Sequence, residues 1–302
     1  MKKTFYKYKS CEGNENENSS FNFLLDSLEK KYFYLSRPES LNDKDEGQMF
    51  DSYAASYDDI KKWLKQHANL LNHMKAVIPL NKDLVCKLKK RCKEPEIRSI
   101  IAQDRKNAIE HFHIFSLTDS SDNEKMWTDY ADNYNGICLG FEATTVLQEG
   151  KNNFTDKNEC YHIETSDHEF DVDGAYIHQN DKSYLGLIDV SYVRRKPIYI
   201  KLFKVNEESE RKKIKKSLLE KNNYDDPQRN KKDWSYERES RIILIDNHSP
   251  KNEKIDLIAH YPDYVLTEVI FGHNIEPDKK AKILDILKSN YSNYNTIIVK
   301  QA

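Results

Sequence analysis

Glycine is scarce, 8 in 302 residues, and neither Gly-x-Gly-x-x-Gly nor Gly-x-x-x-x-Gly-Lys occurs. That excludes the glycine loops that cradle phosphate in dinucleotide-binding and P-loop folds. Gly136 and Gly140 instead flank an apolar run, Ile137-Cys138-Leu139, that reads as strand. The five cysteines are odd in number and include no Cys-x-x-Cys. This excludes a disulfide scaffold or zinc knuckle and points to a reducing compartment, the cytoplasm, with no disulfide-linked partner. No apolar run approaches the roughly 18 residues of a membrane helix. No apolar segment follows the basic Met1-Lys2-Lys3 as a signal sequence requires, so no membrane partner is expected. Charge of one sign is not in excess either. Lys+Arg at 48 against Asp+Glu at 50 gives a net charge of -2, unlike a globally basic nucleic-acid binder.

Tyrosine is abundant at 19. With the Asn and Lys content, this bias fits an AT-rich genome as well as it fits any function. The elements follow from periodicity. Residues 4–9 alternate aromatic and polar side chains and predict a strand. Phe21, Leu24, Leu25 and Leu28 mark an amphipathic helix over 21–30, and residues 32–36 a second strand. Residues 58–110 are mostly helical, with Ile60, Trp63, Leu64 and Ala68 on one stripe and Leu84, Val85 and Leu88 on another. Ser121-Asp122-Asn123-Glu124 matches a capping box that starts a short helix carrying Met126, Trp127 and Tyr130. Strands are expected over 111–117, 137–142, 187–192, 234–245, 266–272 and 296–299, and helices over 204–221 and 278–290. The fold class is α+β, a mixed sheet built from both ends of the chain with a helical insertion at about 58–110 packed beside it. A polar insertion at about 144–183 completes a single domain spanning 1–302.

Four clusters carry candidate chemistry. If 234–245 is a strand, Glu237, Glu239 and Arg241 share one face, with the carboxylates about 7 Å apart. Arg241 then neutralises one carboxylate and leaves the other for a substrate. A surface ion-pair ladder is the competing structural reading. The second cluster is the loop after the second strand, with Ser36, Asn42 and Asp43; there ordinary turn chemistry competes with ligand binding. The third is Trp127, Asp129 and Tyr130, in which Trp127 and Tyr130 share a helix face at i and i+3 and either stack on a planar ligand or fill core. In the fourth, Tyr6 and Tyr8 face one side of the first strand, and Lys7 and Lys9 the other, as on either a surface strand or one that contacts phosphate. His111 and His113 share a strand face without an acidic or cysteine partner at ligand spacing, so no metal site is read.

In this order the clusters resemble an uncharacterised bacterial family, domain of unknown function 2971. The matching segments include Phe5-Tyr6-Lys7-Tyr8-Lys9, Tyr32-Phe33-Tyr34-Leu35-Ser36 and Phe115-Ser116-Leu117. Others are Met126-Trp127-Thr128-Asp129-Tyr130, Gly136-Ile137-Cys138-Leu139-Gly140-Phe141, Trp234 through Arg241, and Val269-Ile270-Phe271-Gly272. The layout is also similar to that of Arg-Ser-Glu-type ADP-ribosyltransferases: a basic residue on the first strand (Lys7 or Lys9), Ser36 at a second-strand end, and Glu237-x-Glu239 on a later strand. Lys stands where that pattern has Arg or His, and no Ser-Thr-Ser follows. The likeness implies a nucleotide-directed enzyme that cleaves the glycosidic bond of NAD, a substrate rather than a tightly bound cofactor. It implies Glu239 and Glu237 as catalytic groups, with Lys7, Tyr8, Ser36, Asn42, Asp43, Trp127, Tyr130 and Arg241 binding substrate. The competing expectation is a non-catalytic nucleotide- or protein-binding module of a bacterial defence or toxin system. A third is a nucleic-acid-processing partner using the Lys-rich helix at 204–221. The macromolecular acceptor is not legible in the sequence.

Overall fold

The computed structural model describes residues 1–14, 18–41, 49–67, 95–146, 161–167, 176–193, 198–222, 234–246 and 257–302. In chain order come β1 (Lys2–Lys9), α1 (Ser20–Glu29), β2 (Tyr32–Leu35), β3 (Phe50–Ser52), α2 (Tyr57–Gln66), α3 (Pro95–Glu110), β4 (Phe112–Thr118), α4 (Glu124–Tyr130) and β5 (Ile137–Thr145). Short strands follow: β6 (Tyr161–Thr165), β7 (Tyr176–Gln179), β8 (Lys182–Gly186), β9 (Ile188–Asp189), β10 (Ser191–Val193) and β11 (Tyr199–Lys201). Then come α5 (Glu208–Leu219), β12 (Glu220–Asn222), β13 (Glu239–Ile245), β14 (Leu257–His260), β15 (Leu266–Phe271), α6 (Pro277–Asn290) and β16 (Ile298–Gln301). The chain divides into two compact units: Met1–Arg37 with His113–Tyr192 and Asn223–Ala302, and Pro38–Phe112 with Val193–Asn222.

The first unit is α+β, as the periodicities predict. Its ten-stranded sheet runs β7-β8-β6-β5-β1-β4-β13-β9, with β15 on β5 and β16 on β15. The sheet is mixed, because β15 and β16 run parallel while β1, β5 and β15 pair antiparallel. Both chain ends contribute, since β5 pairs with β1 and with β15. Alternation sends Phe5, Leu117, Leu139, Phe141, Ile242 and Leu244 to one face, where they meet Phe21, Leu24 and Leu28 of α1 and Ile283 and Leu287 of α6. Each such buried side chain contributes about 1.5–3 kcal/mol. Ser19 caps α1 by accepting from the backbone N–H of Asn22 at 3.2 Å. Pro277 opens α6 at a position where a missing N–H costs nothing.

Several sequence expectations shift. β2 does not lie in the main sheet; it pairs antiparallel with β14 in a sheet of two strands, and its backbone link to β4 is an isolated bridge from Ser36 to Ile114. The stretch at 144–183 carries strands β6, β7 and the start of β8 that extend the main sheet. Polar side chains there (His162, Thr165 and Ser183) are buried alongside Ile163 and Leu185, which erased the apolar alternation that reveals a strand. The cap of α4 is Asn123, not Ser121: its side chain accepts from the N–H groups of Lys125 and Met126. After α4 the chain turns through three left-handed residues, Asp132, Asn133 and Tyr134, into Gly136. A Cβ on Gly136 would stand 2.1 Å from the Lys9 carbonyl, so the close approach of β1 requires glycine.

In the second unit, Ser56 and Asp59 form a capping box at α2. The expected stripe of Ile60, Trp63 and Leu64 is buried, and the Trp63 indole donates to Asp104 of α3 at 2.7 Å. Lys204 bridges Asp59 and Glu207, and Lys62 also reaches Glu207. A cavity of about 320 Å³ opens beside these pairs, floored by Trp63, Phe203 and Val205. β3 and β11 pair in parallel. The expected stripe at Leu84, Val85 and Leu88 lies outside the described residues, as does Ala68.

Candidate functional site

The residues before β13 do not continue it as a strand. Ser235–Glu237 form a single 3₁₀ turn, and Arg238 adopts a left-handed conformation at φ 45°. The reversal breaks the period of two, so Glu237 does not share a strand face with Glu239. Arg238 is held there by donating to Asp119 at 2.7 Å. The turn is clamped to α4 and its cap. Asn123 donates to the Tyr236 carbonyl at 2.6 Å, and the Tyr236 hydroxyl donates to Asp129 at 2.9 Å. The Lys125 ammonium sits 3.8 Å from the centre of the Tyr236 ring. Tyr130 donates its hydroxyl to the buried carboxylate of Glu237.

Glu239 begins β13 and is buried. Arg241 grips both of its oxygens, Nε to Oε1 at 2.6 Å and the terminal nitrogen to Oε2 at 2.9 Å. The backbone N–H of Glu239 donates to the Tyr192 hydroxyl at 2.9 Å. Ser240 donates to Asp189 of β9 at 2.6 Å, which fixes the start of the strand on its other side.

Lys7 on β1 donates to the Ser116 carbonyl of β4 at 2.8 Å and stands 5.0 Å from the centre of the Phe115 ring. Burial pushes its ammonium down to about 7; Lys9 and Arg241 push the same way, against the pull of Glu239 and Glu237. Burial also lowers Lys9. Ser36 is tied to β4 by two backbone hydrogen bonds with Ile114, of 2.8 and 2.7 Å. Lys7, Glu237, Glu239 and Arg241 thus lie within electrostatic reach of one another, with Tyr130 against Glu237 and Ser36 docked on the strand that separates β1 from β13.

Tyr8 and Trp127 stand differently. They meet edge to face at 5.1 Å, and Trp127 stacks on Tyr134 at 5.1 Å and an interplanar angle of 7°. The Trp127 indole donates to the Ser121 carbonyl and the Tyr8 hydroxyl to the Ser120 carbonyl, so both polar tips are satisfied inside a small cluster with Met126, Cys138 and Ile270. Their ring faces are spent on core, and Tyr130 is the member of the helix pair that turns toward the carboxylates. Asn42 and Asp43 lie outside the described residues. Asp129, grouped with Trp127 and Tyr130 from the sequence, accepts from Tyr236; the roles of Tyr192 and Asn123 show only in the tertiary docking of the 235–239 segment. Among the described residues no group of three or more His, Cys, Asp or Glu is placed to hold a metal, and no helix is long and apolar enough to cross a membrane. The two described cysteines, Cys11 and Cys138, are free and buried.

A family model described as "Protein of unknown function (DUF2971)" matches residues 126–242, about two-fifths of the chain, from Met126 on α4 to Ile242 on β13. The match takes in Trp127, Tyr130, Glu237, Glu239 and Arg241, and lends support to the family resemblance over that stretch. No curated protein and no solved structure matches the chain.

Proposed function

We propose that this cluster serves a nucleotide-directed enzyme that cleaves the glycosidic bond of NAD or a related nucleotide, by ADP-ribosyl transfer or by hydrolysis. One observation supports it most. β1, the 235–237 turn and β13 gather Lys7, Glu237 and Arg241 about a buried carboxylate, Glu239, whose two oxygens are held in place. A fixed, desolvated carboxylate suits a cation that develops only in the transition state. As the C1′–N bond breaks, its electron pair leaves with nicotinamide and the ribose becomes oxocarbenium-like, a charge that Glu239 stabilises. A water or acceptor hydroxyl then forms the new C1′–O bond and gives its proton to Glu237, which Tyr130 orients. The test is nicotinamide release from NAD by wild type, Glu239→Gln and Glu237→Gln, with melting temperature measured on all three. A fall of roughly 10²-fold in Glu239→Gln is expected. Full cleavage by that variant removes the catalytic role.

A second reading, a nucleotide- or protein-binding module without chemistry, is favoured by the same pair seen differently. Arg241 occupies both Glu239 oxygens, as a purely structural ion pair would. No cleavage by wild type across candidate acceptors decides for it.

A further inference from the structure

β1 runs paired with β5 from Lys2↔Thr144 to Lys9↔Ile137, yet it bridges β4 at Tyr6↔Thr118 alone. Four residues away on β4, Ile114 is bridged by Ser36 instead. The two strands therefore fork beyond Tyr6. Ser116, between the two bridges, gives its carbonyl to the Lys7 ammonium. Lys7 and Lys9 point to the same face of β1 at the fork, close enough to repel. Among the described residues Lys9 has no carboxylate in ion-pair range. The carboxylates nearest Lys7 are engaged elsewhere, Glu239 with Arg241 and Glu237 with Tyr130. Two withdrawn ammonium groups side by side cost stability unless something of opposite charge visits them.

We propose that Lys7 and Lys9, at the fork between β1 and β4, form a binding site for a phosphate or diphosphate group. The site deepens the nucleotide reading above by naming the group recognised, and only its nucleotide arm rests on that reading. Once Lys7 takes up its proton, Lys7, Lys9 and Arg241 outnumber the two carboxylates, Glu237 and Glu239, so a bound anion meets net positive charge. Binding has a proton signature. Lys7, held at about 7, is largely neutral at about pH 8 and takes up a proton when a dianion settles beside it. The other charged groups that act on Lys7 are Lys9, Arg241, Glu239 and Glu237.

The test is calorimetry on the full chain with ADP, inorganic pyrophosphate and adenosine at about pH 8, in two buffers of different ionisation enthalpy. ADP and pyrophosphate are expected to bind with proton uptake, and adenosine at least about tenfold more weakly. Lys9→Met should weaken ADP by roughly 10- to 100-fold, with Lys9→Arg close to wild type. Adenosine binding as tightly as ADP, or binding of neither anion, overturns the site. So does unchanged ADP affinity in a folded Lys9→Met. If that variant fails to fold, the buffer comparison on wild type decides, because heat that is independent of buffer overturns the proposal. ADP binding without NAD cleavage supports the site and removes the reaction; pyrophosphate binding without ADP supports the anion site and removes the nucleotide.

Discussion

Arg241 reaches back two residues along β13 and grips Glu239 through two hydrogen bonds, with side-chain exposures of 1% and 7%. Removing one partner of a buried pair strands the other's charge, which costs about 3–5 kcal/mol. Arg241→Met should therefore unfold at clearly lower denaturant than wild type, and Glu239→Leu/Arg241→Met should recover much of the loss. A double mutant as unstable as the sum of the singles would mean that the two side chains act independently.

Tyr130→Phe removes the hydroxyl that Glu237 accepts from while keeping the ring in place. The buried carboxylate loses a charge-assisted bond, a cost of about 1.5–3 kcal/mol. Melting temperature should fall, and nicotinamide release should fall further in Tyr130→Phe than in Thr128→Ala, a control on an exposed position of the same helix. Equal activity in the two variants would detach Tyr130 from the chemistry.

Lys7 gives stability a pH dependence with a definite sign. Its folded value, about 7, lies below the ordinary 10.5, so between those values the unfolded chain binds the extra proton. Stability therefore rises with pH across that window, and the penalty is present in full below about 7. Lys7→Met removes the term. The variant should melt above wild type near pH 6, and the gap should close as pH climbs toward about 10. Parallel melting curves over the whole range would show that Lys7 is no more withdrawn from water than an ordinary lysine.

Trp127→Ala empties a cluster in which the indole meets Tyr8, Tyr134 and Met126. A loss of about 3–5 kcal/mol is expected by urea denaturation. Trp127→Phe, still folded, should bind ADP like wild type, because the ring faces are turned to protein. A large loss of ADP affinity in that variant would restore Trp127 as a ligand contact.

Gly136→Ala places a methyl group 2.1 Å from the Lys9 carbonyl, backbone against a paired strand. Neither side can move without opening the end of β1, so a cost of about 1–3 kcal/mol is expected, read as a drop in melting temperature.

The sequence by itself determined the elements with a clean period. Phe21, Leu24, Leu25 and Leu28 specify α1, the aromatic–polar alternation over 4–9 specifies β1, and the apolar run over 137–142 specifies β5, because spacing and runs of apolar side chains are local properties. It also determined which charged residues are unusual: Lys7, Glu237, Glu239 and Arg241 interrupt strand-like runs. Tertiary structure decided the rest. A left-handed Arg238, pinned by Asp119 from 119 residues away, took Glu237 out of the strand and handed it to Tyr130. Polar side chains buried in β6 and β8 hid those strands: Thr165 donates to the His260 carbonyl 95 residues away, and Ser183 meets His178 across the β7–β8 hairpin. Trp127 became core because Tyr134, turned back by three left-handed residues, stacks on it. The fork that sets Lys7 against Ser116, with Lys9 on the same face of β1, exists only where β1 leaves β4 and Ser36 takes up Ile114. Spacing along a chain fixes which way a side chain points within its own element; which strand stands beside that element is fixed by packing among residues far apart in sequence.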